Sequence, residues 1–177
     1  MQNMVTGPAP EKAYKKGRIL VLGLGNILLK DEGIGVHAAE KLQEFALTED
    51  VEVIDGGTAG MEVLLSQGGG YKLVVIDAMR GGERPGTIYK ARFGPGDIDK
   101  LEQIFGCEPK LGLHQAGLID SLAAAARLNC GPDEIVIIGV EPCEVGWGLT
   151  PTEELKNRVE EIVNTVLEEI GHAVYEE

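Results

Sequence analysis

Asp55, Asp77 and Glu141 each stand at or just past the end of a short apolar run, and Glu32 lies in the loop that follows the first such run. If those runs are parallel strands of one sheet, their carboxyl ends share a rim, and open α/β sheets bind ligands in the crevice along that rim. Four carboxylates collected there repel one another and cost stability unless a cation or hydrogen bonds compensate them, so the set points to a cation site. His114, directly after Gly112 and Leu113 at the start of an expected helix, adds an imidazole. Carboxylates mixed with imidazole suit a divalent transition ion such as zinc or nickel.

Each of these residues also has a purely structural reading. Asp and Glu often end strands or cap helices, which would account for Asp55 and Glu141. Asp77 is followed by Ala78 and Met79, with no helix start to cap, and is the acid most suited to chemistry. His114 could be a helix-terminal residue satisfied by the backbone. His37, five positions after Glu32, falls off its face, and His172 lies in the last residues; both read as surface side chains.

Familiar signatures are missing. The stretch from Gly23 to Leu28 begins like a dinucleotide fingerprint, but Leu28 stands where a third small residue is wanted, and Asp31 and Glu32 would face the pyrophosphate. There is no nucleophile elbow, P-loop or H-E-x-x-H motif, and Ser66 and Ser121 have no evident base partner.

The elements that must position the rim follow from periodicity. Residues 19–23 form an unbroken apolar run, and apolar residues then recur at helical spacing from 34 to 46. Residues 51–54 and 73–76 are further strands, with a helix around Met61, Val63, Leu64 and Leu65 between them. Residues 87–93 alternate as an antiparallel edge strand would, after a turn-rich loop at 80–86. A short helix is expected at 98–105, a longer one from 114 or 115 to 128, and a last strand at 135–138 inside the β-rich run 134–140. The Thr150-Pro151-Thr152-Glu153 stretch opens a C-terminal helix striped by Leu155, Val159, Ile162, Val163, Val166 and Ile170. The expected fold class is α/β: three α/β/α layers around a mostly parallel, twisted sheet of about five strands, one of them an antiparallel edge. Residues 1–17 read as a flexible extension and 18–177 as a single domain.

With 29 acidic against 16 basic residues the net charge is -13, which repels phosphate backbones and argues against nucleic acid as partner. A cation or a basic protein segment fits better. Three cysteines without CxxC spacing indicate neither a disulfide framework nor a cysteine zinc site, as expected in a reducing compartment. The basic residues before the run at 19–29 mimic a signal peptide, but no small-x-small cleavage site follows and glycines interrupt the run. No segment is long enough to span a membrane. A cytoplasmic location is expected.

Six blocks, in order, carry a resemblance: residues 19–36 (ILVLGLGNILLKDEGIGV), 55–62 (DGGTAGME), 75–78 (VIDA), 85–87 (PGT), His114-Gln115, and 148–151 (GLTP). Over residues 18 to about 170 the chain resembles the hydrogenase maturation endopeptidases, which trim a C-terminal extension from the large subunit of nickel-iron hydrogenases after nickel is inserted. The resemblance implies a peptidase, customarily classed as aspartyl-type, with Glu32, Asp77 and His114 as the metal-binding trio. It makes Asp77 and Asp55 the candidate catalytic residues, Asp55 as support for the substrate or the metal site. The implied metal is nickel supplied by the substrate, with zinc or cadmium able to take its place in crystals. The implied partner is the immature large subunit, met by a monomer. The rival reading is a non-catalytic nickel- or zinc-binding accessory protein or metallochaperone; such proteins often carry His-rich tracts, and this chain has three histidines, none adjacent. A metal-dependent hydrolase of small molecules is a third.

Overall fold

A computed structural model describes residues 17–58, 63–64, 66–97, 100 and 113–171, with the side chains of 113–117 outside that description. The elements are β1 (Arg18–Leu24), a 3-10 turn (Asp31–Gly33), α1 (Ile34–Leu42), β2 (Val51–Gly57), β3 (Tyr71–Ala78), β4 (Ile88–Phe93), α2 (Leu113–Arg127), β5 (Glu134–Val140), α3 (Glu153–Lys156) and α4 (Val159–Glu169). They build a five-stranded sheet of order β2-β1-β3-β5-β4. Strands β1, β2, β3 and β5 are parallel, and β4 runs antiparallel to β5 at the edge.

Alternate residues of the central strands feed two cores. Leu20, Leu22, Leu73, Val75, Ile135 and Ile137 pack with Leu118, Ile119 and Leu122 of α2. Val21, Val74, Ile76, Val136 and Ile138 pack on the other face with Ile34, Ala38 and Leu42 of α1 and with Ile162, Val163 and Val166 of α4. Burial from both sides explains why these strands read as unbroken apolar runs. No helix among the described residues is long and apolar enough to cross a membrane.

Strands β2 and β3 run beyond the expected 51–54 and 73–76, to Gly57 and Ala78, so Asp55 and Asp77 stand inside them. Two helical elements also differ from their sequence reading. α1 stops at Leu42, four residues before the expected end, because the chain tightens: Glu44 N bonds Lys41 O and Phe45 N bonds Leu42 O, and the Gln43 side chain donates to Val53 O at 3.2 Å. Phe45 is left partly exposed. The C-terminal stripe is split into α3 and α4, since Arg158 N takes Leu155 O and α4 restarts from Arg158. Most of the short helix at 98–105, and residues 59–62 and 65 of the helix near Leu64, lie outside the described residues, as do residues 1–16.

The glycines around α1 do not serve a dinucleotide. A Cβ on Gly35 would sit well inside van der Waals contact with the carbonyl oxygens of Ile76 and Leu24, and one on Gly23 would strike Gly35 O and the Ala39 side chain. Glycine lets α1 lie directly on β1 and β3. Gly35→Ala is therefore expected to cost at least ~2 kcal/mol, because the clash is with backbone and no rotamer relieves it. Gly96→Ala, where nothing lies within 4 Å, is the control; urea unfolding of both variants checks this, and equal midpoints would refute the packing argument.

At the opposite end of the sheet Glu169, 3% exposed at its side chain, pairs with Lys72 at 2.5 Å, Arg92 at 2.6 Å and Lys90. Burial pushes its pKa up, but hydrogen bonds from Lys72, Lys90 and Arg92 outweigh it and hold it at about 2, from an ordinary 4.5. A depressed folded-state pKa gives stability that is present above the unfolded value and is lost as pH falls from about 4.5 through about 2. Wild type should accordingly lose more stability over that window than Glu169→Gln; parallel acid-unfolding curves would show that the cluster contributes nothing.

Candidate active site

The strand order makes β1 and β3 neighbours whose following connections leave in opposite directions, which is the switch point where α/β sheets open a crevice. Glu32 lies in the 3-10 turn after β1, and Asp77 is the penultimate residue of β3. Because Gly35 packs on the carbonyls of Leu24 and Ile76, the turn carrying Glu32 rests over the ends of these two strands. Asp77 is 4% exposed, and its Oδ1 accepts the Ala78 amide at 2.8 Å. Glu32 is half-buried.

Asp55 is paired in register with Gly23, which itself pairs with Ile76. It therefore lies level with the end of β3 but two strand spacings, about 10 Å, away. Its side chain is exposed, and Oδ1 accepts the Gly57 amide at 2.8 Å, steadying a turn in which Gly57 has φ 45°. His114 is the second residue of α2. That helix leads into the start of β5, so it runs against the strands and its N-terminus opens on the same rim. The His114 side chain lies outside the described residues. Among the described side chains no three of His, Cys, Asp or Glu form a metal-binding group. His37 stands on α1 with Nδ1 3.4 Å from Glu40, and His172 is outside the described residues.

Glu141, just past the end of β5, is tied to the protein through one carboxylate oxygen. Its Oε2 accepts the amides of Gly81 at 2.7 Å, Gly82 at 3.0 Å and Glu83 at 3.3 Å, and the Tyr89 hydroxyl at 2.5 Å. Burial alone would raise its pKa; the bonds from Tyr89 and the three amides hold it below the usual range. Burial and the Glu141 charge push the Tyr89 phenol up to about 12. Of its two sequence readings, this carboxylate takes the structural one: it moors the 80–86 loop.

Asp31, which the sequence reading did not single out, is the carboxylate buried deepest at this rim. It is 0% exposed and accepts the amides of Cys143 at 2.9 Å, Glu144 at 2.8 Å and Thr152 at 2.6 Å, and the Thr152 hydroxyl at 3.0 Å. Thr152 therefore serves this carboxylate, and its side chain makes no cap bond to α3. Main-chain bonds Lys30 N to Gly148 O and Gly148 N to Leu28 O, both 2.9 Å, complete the seam between loops 26–33 and 141–152. Lys30 is held at φ 53°, a strained value for a residue with a side chain. Asp31→Ala would strand these donors in the interior and is expected to cost at least ~3 kcal/mol, read as a lowered denaturation midpoint. A change within experimental error would show that water replaces the carboxylate.

A family profile, HycI, described as hydrogenase maturation protease, matches residues 36–169. The chain belongs to the hydrogenase maturation protease family. Among curated relatives of the family, the hydrogenase 2 maturation protease of Escherichia coli K12 is 39% identical over 163 residues, covering 90% of this chain and 92% of that protein. The hydrogenase expression/formation protein HupD of Thiocapsa roseopersicina is 37% identical over 154 residues. The chain spans just under two thirds of HupD in Thiocapsa, 66%, and 65% of HupD in Rhodobacter capsulatus. Among solved structures of the family, the E. coli hydrogenase maturating endopeptidase HybD superposes with a TM-score of 0.77 at 34% identity, covering 87% of this chain and 92% of its own. The nickel-iron hydrogenase maturation protease HybD of Thermococcus kodakarensis gives 0.66 at 26% identity, covering 86% and 99%. The five-stranded, mostly parallel sheet with one antiparallel edge is thus the fold of these proteases.

Proposed function

We propose that the chain is an endopeptidase that removes a C-terminal extension from the large subunit of a nickel-iron hydrogenase after nickel insertion, recognising the bound nickel through Glu32, Asp77 and His114. The observation that carries this reading is the placement of Glu32 and Asp77 at one switch point, with the N-terminus of α2 opening beside them. Two carboxylates and an imidazole are a donor set suited to nickel. The ion is part of the substrate, so the site is a receptor for a metal that arrives already held.

In this reading the three side chains complete the coordination of the substrate's ion and bring the scissile segment to the rim. Asp77, short and nearly buried at the strand end, fixes one ligand direction and is the first candidate to orient or deprotonate the attacking water. Asp55, across the crevice, steadies the extended substrate. The protein acts as a monomer in the cytoplasm on a protein substrate, without nucleic acid or membrane. The test is incubation of the purified chain with a nickel-loaded precursor, followed by mass spectrometry of the large subunit. Loss of the C-terminal extension is expected; a complex in which the precursor keeps its full length would replace the endopeptidase with the metallochaperone reading.

A further inference from the structure

Trp147 is 83% exposed and Leu149 68% exposed, on a loop whose main chain is bonded to that of Leu28 and Lys30. Ile27, Leu28 and Val145, exposed at 43%, 46% and 37%, extend the same surface. The bridges Leu29 to Gly148 and Lys30 to Val145 make the two loops one ledge, and the buried Asp31 carboxylate pins it from beneath. The exposure is therefore imposed by a stiff scaffold. A pinned cluster of large apolar side chains in water marks a binding surface, and tryptophan is the residue most enriched among binding hot spots.

We propose that this ledge is the docking surface for the protein substrate, engaging an apolar segment of the precursor flanked by lysine or arginine. The inference rests on the endopeptidase reading and names where the partner binds outside the metal site. Continuity supports it: loop 26–33 carries both Ile27 and Glu32, so a chain delivering its ion to Glu32 passes over the ledge. Charge supports it as well. Glu32, Asp55 and Asp77 border this rim in a chain of net charge -13, which favours a basic partner, while Glu144 is already paired with Lys30 at 2.5 Å. Because the ledge is ordered beforehand, docking loses little conformational entropy.

Trp147 is the chain's single tryptophan, so it can report its own burial. The full chain labelled with 5-fluorotryptophan gives one fluorine resonance. On titration with unlabelled nickel-loaded precursor, that resonance should shift and lose its solvent isotope sensitivity. Trp147→Ala and Leu149→Ser should each raise KM by about tenfold or more while kcat stays within about twofold. Circular dichroism would confirm that both variants fold, as their exposure requires. A resonance unmoved by precursor, or an unchanged KM in both variants, overturns the docking surface even where wild type cuts normally. A shift without cutting keeps the docking surface and removes the protease. A resonance that moves with the protein's own concentration alone assigns the ledge to a second copy and overturns the proposal.

Discussion

Glu32→Gln and Asp77→Asn should each slow cleavage of a nickel-loaded precursor by at least about 10²-fold and still yield folded protein. Loss of an outer partner of a metal ligand already costs about 10- to 100-fold in affinity or activity, and loss of the ligand itself should cost no less. Both substitutions keep shape and remove charge, so the fold is spared. The turn bearing Glu32 is anchored by Asp31 next to it, and Asn at 77 keeps an oxygen for the Ala78 amide. His114→Ala, on the second residue of α2, belongs to the same series and should abolish processing. Single-turnover rates with circular dichroism of each variant make the check. Wild-type rates in all three would remove the receptor role from this rim; an unfolded His114 variant would show that histidine to be structural.

The second expectation is a dependence on the substrate's own metal: nickel-loaded precursor is cut, while the matched nickel-free precursor stays intact over the same period. Three ligands without a fourth form an incomplete site of modest affinity for free ions. An ion already held by the partner adds its coordination to the contacts of a protein interface, and the two contributions act together only on the loaded form. Discrimination then rests on that coupling and needs no separate reading of a cleavage sequence. The assay uses both precursors in a chelator too weak to strip the loaded subunit. Equal cutting of the two forms would refute substrate-borne sensing and leave an endopeptidase of another trigger.

The sheet was legible because it is buried on both faces. β1, β3 and β5 lie under helices on either side, so their apolar runs are unbroken, and Asp77 stands out as the acid that interrupts one. The edge strand was legible in its alternation, since Ala91 and Phe93 turn to one core while Lys90 and Arg92 between and beside them stay exposed. Periodicity does not say which acids are inside. Glu141 and Asp31 are both buried carboxylates whose partners are backbone amides of loops far along the chain, 58 to 60 residues away for Glu141 and 112 to 121 for Asp31. Nothing local distinguishes either from Glu32 and Asp77, the acids proposed to meet the substrate's metal. The C-terminal stripe predicted a continuous helix because apolar spacing carries through Asn157 and Arg158, where the hydrogen bonding tightens and the axis is interrupted.

Asp31 also limits how the rim can be redesigned. One carboxylate serves as the fastener for segments 26–33 and 141–152, and the Lys30 and Gly148 main chains interlock above it. A graft of residues 143–149 from a relative, made to retarget the protein to another precursor, would import side chains shaped for a different facing strip. The two segments are a single cassette, and retargeting calls for both to be exchanged at once.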